Sequence, residues 1–117
     1  MPSAIIDMTE LLARVEHDRQ LMRDLLLIFK EEFPRHLQAL RDAVNSGEGE
    51  KVAAEAHALK GMLSDLAANP AAAAAARIEQ LGRNREVSQF QGAFCALEKI
   101  SKELLLQLDA RVAEVSG

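Results

Sequence analysis

The sequence predicts an all-α protein, an antiparallel four-helix bundle with an additional short N-terminal helix. Three observations carry that expectation. Apolar residues recur at steps of three and four through most of the chain, the signature of helices with one buried face. Chain breakers gather at a few points, notably Asn45-Ser46-Gly47 and Asn69-Pro70, leaving short connections of the kind that join antiparallel neighbours. Trp and Tyr are absent, Phe occurs four times, and Ala and Leu dominate, a composition suited to slender helices packed at short interaxial distance. With 117 residues, the chain reads as a single domain over 1–117, too small for a second, catalytic one.

A first helix is expected over 7–16, where Met8, Leu11, Leu12 and Val15 share a face and Asp7 followed by Glu10 makes an opening cap. A second, over 18–45, takes Leu21, Leu25, Ile28, Phe29, Phe33, Leu37, Leu40 and Val44 as its apolar stripe. Pro34 lies inside it, removing one backbone donor and crowding the carbonyl four residues earlier, so a kink is expected there. The third, over 49–68, lines one side with Val52, Ala56, Leu59, Leu63 and Leu66. Asn69-Pro70 is expected to close it and to cap the fourth, over 70–83. Six alanines at 71–76 begin that fourth helix. Alanine is the best helix former, so they predict a thin, close-packed helix rather than a disordered tract. Val87, Phe90, Phe94, Leu97, Leu104 and Leu108 mark the fifth, over 87–114.

Several function classes fall away on composition. Acidic residues outnumber basic ones, 18 to 14, and no basic stripe exists to follow a phosphate backbone, so nucleic acid is not expected as a partner. Apolar runs are far shorter than a membrane span and the start lacks a secretory pattern, so the expected location is cytoplasmic. Cys95 stands alone. It can form neither an intramolecular disulfide nor a thiolate metal site, and is expected to be a small buried apolar residue. His17 and His36 do not pair with each other or with His57 at metal-ligand spacing and read as solvated side chains; no metal or cofactor is expected on this chain. Ser64 lacks the setting of a hydrolase nucleophile. No glycine-rich phosphate loop occurs, so the chain is not expected to bind ATP or to be a kinase.

At about 100° per residue, His57 lies roughly 140° from the Val52–Leu66 stripe and faces outward. Ala53, Lys60, Gly61 and Ser64 fall on the same outward half. A solvated bundle face ordinarily carries long polar side chains, and glycine inside a helix costs about 1 kcal/mol relative to alanine. Taken singly, His57 reads as an ordinary surface histidine and Gly61 as a tolerated defect. Taken together, nucleophile, neighbouring charge and cleared space coincide: an imidazole that titrates near neutrality, an ammonium one turn away at Lys60, and room at Gly61.

Ala56-His57-Ala58-Leu59-Lys60-Gly61 resembles the signature of histidine-containing phosphotransfer (HPt) domains of two-component phosphorelays. Asp7, the stretch from Phe29 to Pro34, and Arg77-Ile78-Glu79-Gln80-Leu81-Gly82-Arg83 also resemble family positions, so the likeness spans nearly the whole chain. It implies that His57 accepts and donates a phosphoryl group through Nε2, with Lys60 and Gly61 as its family neighbours. It places Glu79 where many members carry a polar residue that bonds the ring's other nitrogen, and Arg83 one turn further, facing a receiver's acidic site or solvent. The implied partner is the receiver domain of a response regulator or of a hybrid histidine kinase, docking over the third and fourth helices and bringing its own Mg²⁺. The sequence departs from the family at Met62 and Leu63, where small or hydroxyl residues are common, and at Ala67, where glycine often stands.

Two alternatives stand beside the phosphocarrier. One is a helical interaction module that regulates a receiver or kinase by binding alone. The other, a histidine-kinase dimerisation unit, uses two long helices per chain, whereas a complete four-helix bundle needs no second copy and a monomer is expected. The starting Met1 favours a free-standing protein over a fragment of a kinase.

Overall fold

The computed structural model describes residues 5–116, and among them every regular element is helical. Helix α1 spans Met8–Arg14, α2 Arg19–Ser46, α3 Gly49–Asp65, α4 Asn69–Arg83 and α5 Phe90–Ser116, with a single 3₁₀ turn at Val87–Gln89 before α5. Helices α2 to α5 pack in a ring, α2 on α3, α3 on α4, α4 on α5 and α5 on α2. Their buried faces meet in one core that includes Leu26, Phe33, Leu40, Leu59, Leu63, Ile78, Leu97 and Leu104.

Each boundary has a local cause. Asp7 caps α1 by accepting from the Glu10 amide, and Asp18 caps α2 by accepting from Leu21, each satisfying a first-turn donor that the helix itself leaves orphaned. Glu16 and His17 both take left-handed backbone angles between them. Gly47, at φ 72°, ends α2 in the left-handed conformation that glycine adopts without a Cβ penalty. Helix α2 runs unbroken through Pro34.

The α3–α4 junction differs from expectation. Helix α3 ends at Asp65 rather than near 68, because Ala67 turns the chain with φ 58°. An alanine there sits in a region costly for L residues. It is held by the Asp7 amide, which donates to the Ala67 carbonyl at 2.9 Å, and by complete burial. Asn69 does not cap α4. The cap is Ala68, with no side-chain bond, and Asn69 instead donates to Glu10 at 3.2 Å. Arg14 of α1 donates to the Ser64 carbonyl, so α1 is seated over this junction.

Other expectations are corrected by packing. Of the α2 stripe, Phe29, Phe33, Leu40 and Val44 are buried and Leu37 is partly so, but Leu21, Leu25 and Ile28 are exposed. Met22 and Leu26 take their place, since 22, 26, 29 and 33 continue one stripe at steps of four, three and four. Val87 is exposed on the 3₁₀ turn, and the core side of α5 begins at Phe90. Cys95 is exposed, not buried. Ile5 and Ile6, ahead of the first helix and outside any periodic pattern, are buried.

Candidate functional site

Helix α3 buries Val52, Ala56, Leu59 and Leu63 completely, and this register turns His57 away from the core, its side chain 65% exposed. The neighbouring turns are bare: Ala54, Ala58, Gly61 and Ser64 are all exposed. A Cβ built at Gly61 would meet nothing within 4 Å. Internal packing therefore does not require glycine there, and the space beside the imidazole opens to the outside.

The opposite wall of the site comes from α4, whose slender alanine face lets it lie against α3. Ala71, Ala75 and Ile78 are fully buried. One turn from the histidine the two backbones nearly touch: a Cβ on Gly82 would sit 2.7 Å from the Ala53 amide nitrogen and 2.8 Å from the Gly49 carbonyl oxygen. Real Cβ atoms do not approach backbone that closely, so the absence of a side chain at Gly82 sets the helix separation. That separation brings Glu79 of α4 within bonding reach of α3.

Glu79 is only 5% exposed and is the centre of the cluster. His57 Nδ1 lies 3.0 Å from Glu79 Oε2, Lys60 Nζ lies 2.7 Å from Oε1, and Arg83 Nη2 lies 2.6 Å from Oε2. The Lys60 hydrogen bond holds the Glu79 carboxyl below the usual carboxylate range; burial opposes this, while the His57 bond and the charges of Lys60 and Arg83 assist it. Glu79 is therefore ionised near neutrality and can only accept. In a neutral imidazole bonded to it, Nδ1 carries the proton and Nε2 keeps its lone pair, directed to solvent.

Four of the five residues singled out by sequence thus meet at the α3–α4 contact, His57 and Lys60 from α3 and Glu79 and Arg83 from α4, while Gly61 lies on the open face of α3 beside them. Lys60, expected beside a phosphoryl group, and Arg83, expected to face a receiver's acidic site or solvent, both contact Glu79. His17 falls in the α1–α2 connection. Among the described residues no group of three or more His, Cys, Asp or Glu is arranged to hold a metal ion, and no helix is long and apolar enough to cross a membrane.

One feature was not foreseen. The exposed Leu25 and Ile28 of α2, with Phe29, Met62 and Leu66, line a groove of about 270 Å³ between α2 and α3, rimmed by Glu32, His36 and Asp65. Leu21 extends the apolar strip along α2. The signal was in the sequence as a second apolar stripe on α2, at 21, 25 and 28, beside the stripe at 22, 26 and 29, a wider face than a bundle helix needs. On α3, Met62 and Leu66 fall on the flank toward α2 and His57 on the flank toward α4. Ala58 and Gly61 lie between them, so groove and histidine share one open face.

Residues 24–116 match the family model described as the Hpt domain. The fold matches the crystal structure of histidine-containing phosphotransfer protein B (HptB) from Pseudomonas aeruginosa PAO1, with a TM-score of 0.88 at 18% sequence identity, covering 97% of this chain and 98% of that one. No curated protein matches.

Proposed function

The chain belongs to the Hpt domain family, whose members are phosphocarrier modules of two-component phosphorelays and not kinases, and on that premise we propose that His57 is the residue that carries the phosphoryl group to and from a receiver aspartate. The observation that supports this most directly is the pairing of exposure with orientation. His57 presents an open Nε2 while Nδ1 is tied to a buried, ionised carboxylate at 3.0 Å. Such a partner fixes ring orientation and tautomer in advance of reaction.

In the forward step, the Nε2 lone pair attacks the phosphorus of the receiver's phospho-aspartate. The N–P bond forms as the P–O bond to the aspartyl carboxyl breaks, and the aspartate leaves as a carboxylate. The Nδ1 proton stays in place. The ring becomes a phosphorylated imidazolium whose positive charge lies against Glu79, so the carboxylate stabilises charge that develops only as transfer proceeds. The return step runs the same path backwards. The divalent cation that such transfers use is assigned to the receiver's acidic site.

The docking face was expected over the third and fourth helices. The groove between α2 and α3 instead supports a receiver seated across α2 and α3, with α4 contributing from behind the histidine. The exposed Leu21, Leu25 and Ile28 supply the apolar centre, and the open stretch at Ala58 and Gly61 lets a partner backbone approach the ring. To test the assignment, the chain is incubated with a receiver domain carrying labelled phosphoryl. The expected product is acid-labile, base-stable label on the wild-type chain and none on His57→Gln. Label of the same stability on His57→Gln would overturn it.

A further inference from the structure

We propose that Lys60 and Arg83 act on His57 through Glu79, as positioning residues that fix the carboxylate and hence the ring tautomer, and not as ligands of the transferred phosphoryl group. The consequence for transfer rests on the reading of His57 as the phosphoryl carrier. The consequence for the ring does not.

The geometry carries the proposal. Glu79 reaches the site from α4 and, on its own, would be free to rotate about its terminal torsion. Two cations on different helices close on it. Lys60, one turn from His57 on α3, takes Oε1 at 2.7 Å, and Arg83, one turn from Glu79 on α4, takes Oε2 at 2.6 Å. With each oxygen engaged from a different side, the plane of the carboxylate is set, and the remaining acceptor direction on Oε2 meets Nδ1 at 3.0 Å. His57 and Lys60 thus straddle the carboxylate from α3 while Arg83 braces it from α4.

Burial explains why the cations stay. The Glu79 side chain is 6% exposed and the Arg83 side chain 62%, so water reaches the cation far more readily than the anion. Moving Lys60 or Arg83 to a phosphoryl group on Nε2 would strip a charge-assisted bond from a buried carboxylate that water cannot readily replace. The anion, not the cations, holds the arrangement together. Charge gives the same assignment: one carboxylate and two basic side chains leave a net charge of about +1 beside the ring, so an approaching phosphoryl group is attracted without either basic group leaving its partner.

The test is a double-mutant cycle with two readouts. Ring ¹⁵N shifts report the His57 tautomer at about pH 8.5, above the ordinary imidazole range. The Nδ1–H form is expected to dominate in the wild type and to decline in Lys60→Met and in Arg83→Met, with Lys60→Arg and Arg83→Lys recovering it. Transfer from a phosphorylated receiver is expected to slow about tenfold in Lys60→Met and to change by less than about twofold when the same substitution is made in a Glu79→Gln background. An unchanged tautomer in folded Lys60→Met and Arg83→Met proteins would overturn the proposal and leave the phosphocarrier reading standing. An equal loss of rate in both backgrounds would also overturn it, because that is the behaviour of a cation acting on the phosphoryl group directly. Label retained by His57→Gln would sink the phosphocarrier reading while leaving the tautomer result to judge this one.

Discussion

Replacing Glu79 with glutamine should lower stability by an amount that depends on pH in a defined direction. The substitution keeps the shape of the side chain but leaves one acceptor oxygen for three donors. Arg83 is 62% exposed and Lys60 35%, so solvent screens both pairs, and each is worth about 0.5 kcal/mol. The bond from His57 adds about 1 kcal/mol. Part of the sum returns because glutamine removes a buried charge and retains one acceptor, leaving a net loss of about 1–2 kcal/mol. For a chain of this length that is a fall in Tm of roughly 4–8 °C.

The Glu79 carboxyl is held below its ordinary range in the folded protein, most strongly by the Lys60 hydrogen bond. A depressed carboxylate contributes stability that is fully present above the unfolded value, about 4.3 for glutamate, and that is lost as pH falls through the folded value. The gap between wild type and Glu79→Gln should therefore be complete at pH 7, begin to narrow near pH 4, and close below the folded value. Other carboxylates are common to both proteins and cancel in the difference. Thermal unfolding followed by far-UV circular dichroism at pH 7, 5.5, 4 and 3 would measure it. A gap of equal size at pH 3 and pH 7, or none at pH 7, would refute the description of Glu79 as a buried, ionised hub.

Two glycines should respond to alanine in opposite ways. Gly82→Ala forces a methyl against backbone 2.7 Å away, so overpacking of about 1–3 kcal/mol should exceed the roughly 1 kcal/mol gained in helix propensity. The melting temperature should fall and the Nδ1–H tautomer of His57 should become less populated as α4 is pushed away from α3. Gly61→Ala meets no neighbour and should raise stability by about 0.5–1 kcal/mol, while slowing transfer because the methyl occupies space left for the partner. Equal transfer rates for Gly61→Ala and wild type would remove the docking role given to that space. Ile28, 59% exposed on α2, can be changed to Asp with a stability effect within about 0.5 kcal/mol. Calorimetric titration should show receiver binding weakened about tenfold, as expected for losing a buried apolar side chain. The similarly exposed Leu106 of α5 should tolerate the same change without loss of affinity.

Helix content, the break at Gly47 and the outward direction of His57 were legible in the sequence, because each depends on the chain's own period and breakers, whereas the turn read at Asn69-Pro70 falls earlier, at Ala67, with Asn69 already inside α4. A stripe of Val52, Ala56, Leu59 and Leu63 settles where the far side of that helix points, whichever neighbour covers it. Glu79 was legible only through family resemblance, since its place within the buried side of α4 depends on how close α3 comes.

Tertiary packing decided what periodicity left equivalent. Helix α2 carries two adjacent apolar stripes, and contact with α3 and α5 buried Met22 and Leu26 while leaving Leu21, Leu25 and Ile28 to line a groove. Ala67 occupies left-handed space that no alanine seeks locally, because burial and a bond from Asp7 hold it there. Lys60, which local geometry would allow to face solvent or a ligand, is drawn to a carboxylate on another helix. Local sequence fixes directions around a helix's own axis. Which side chain waits in that direction is a property of two helices at once, set here by the near contact of Gly82 with Ala53 and Gly49.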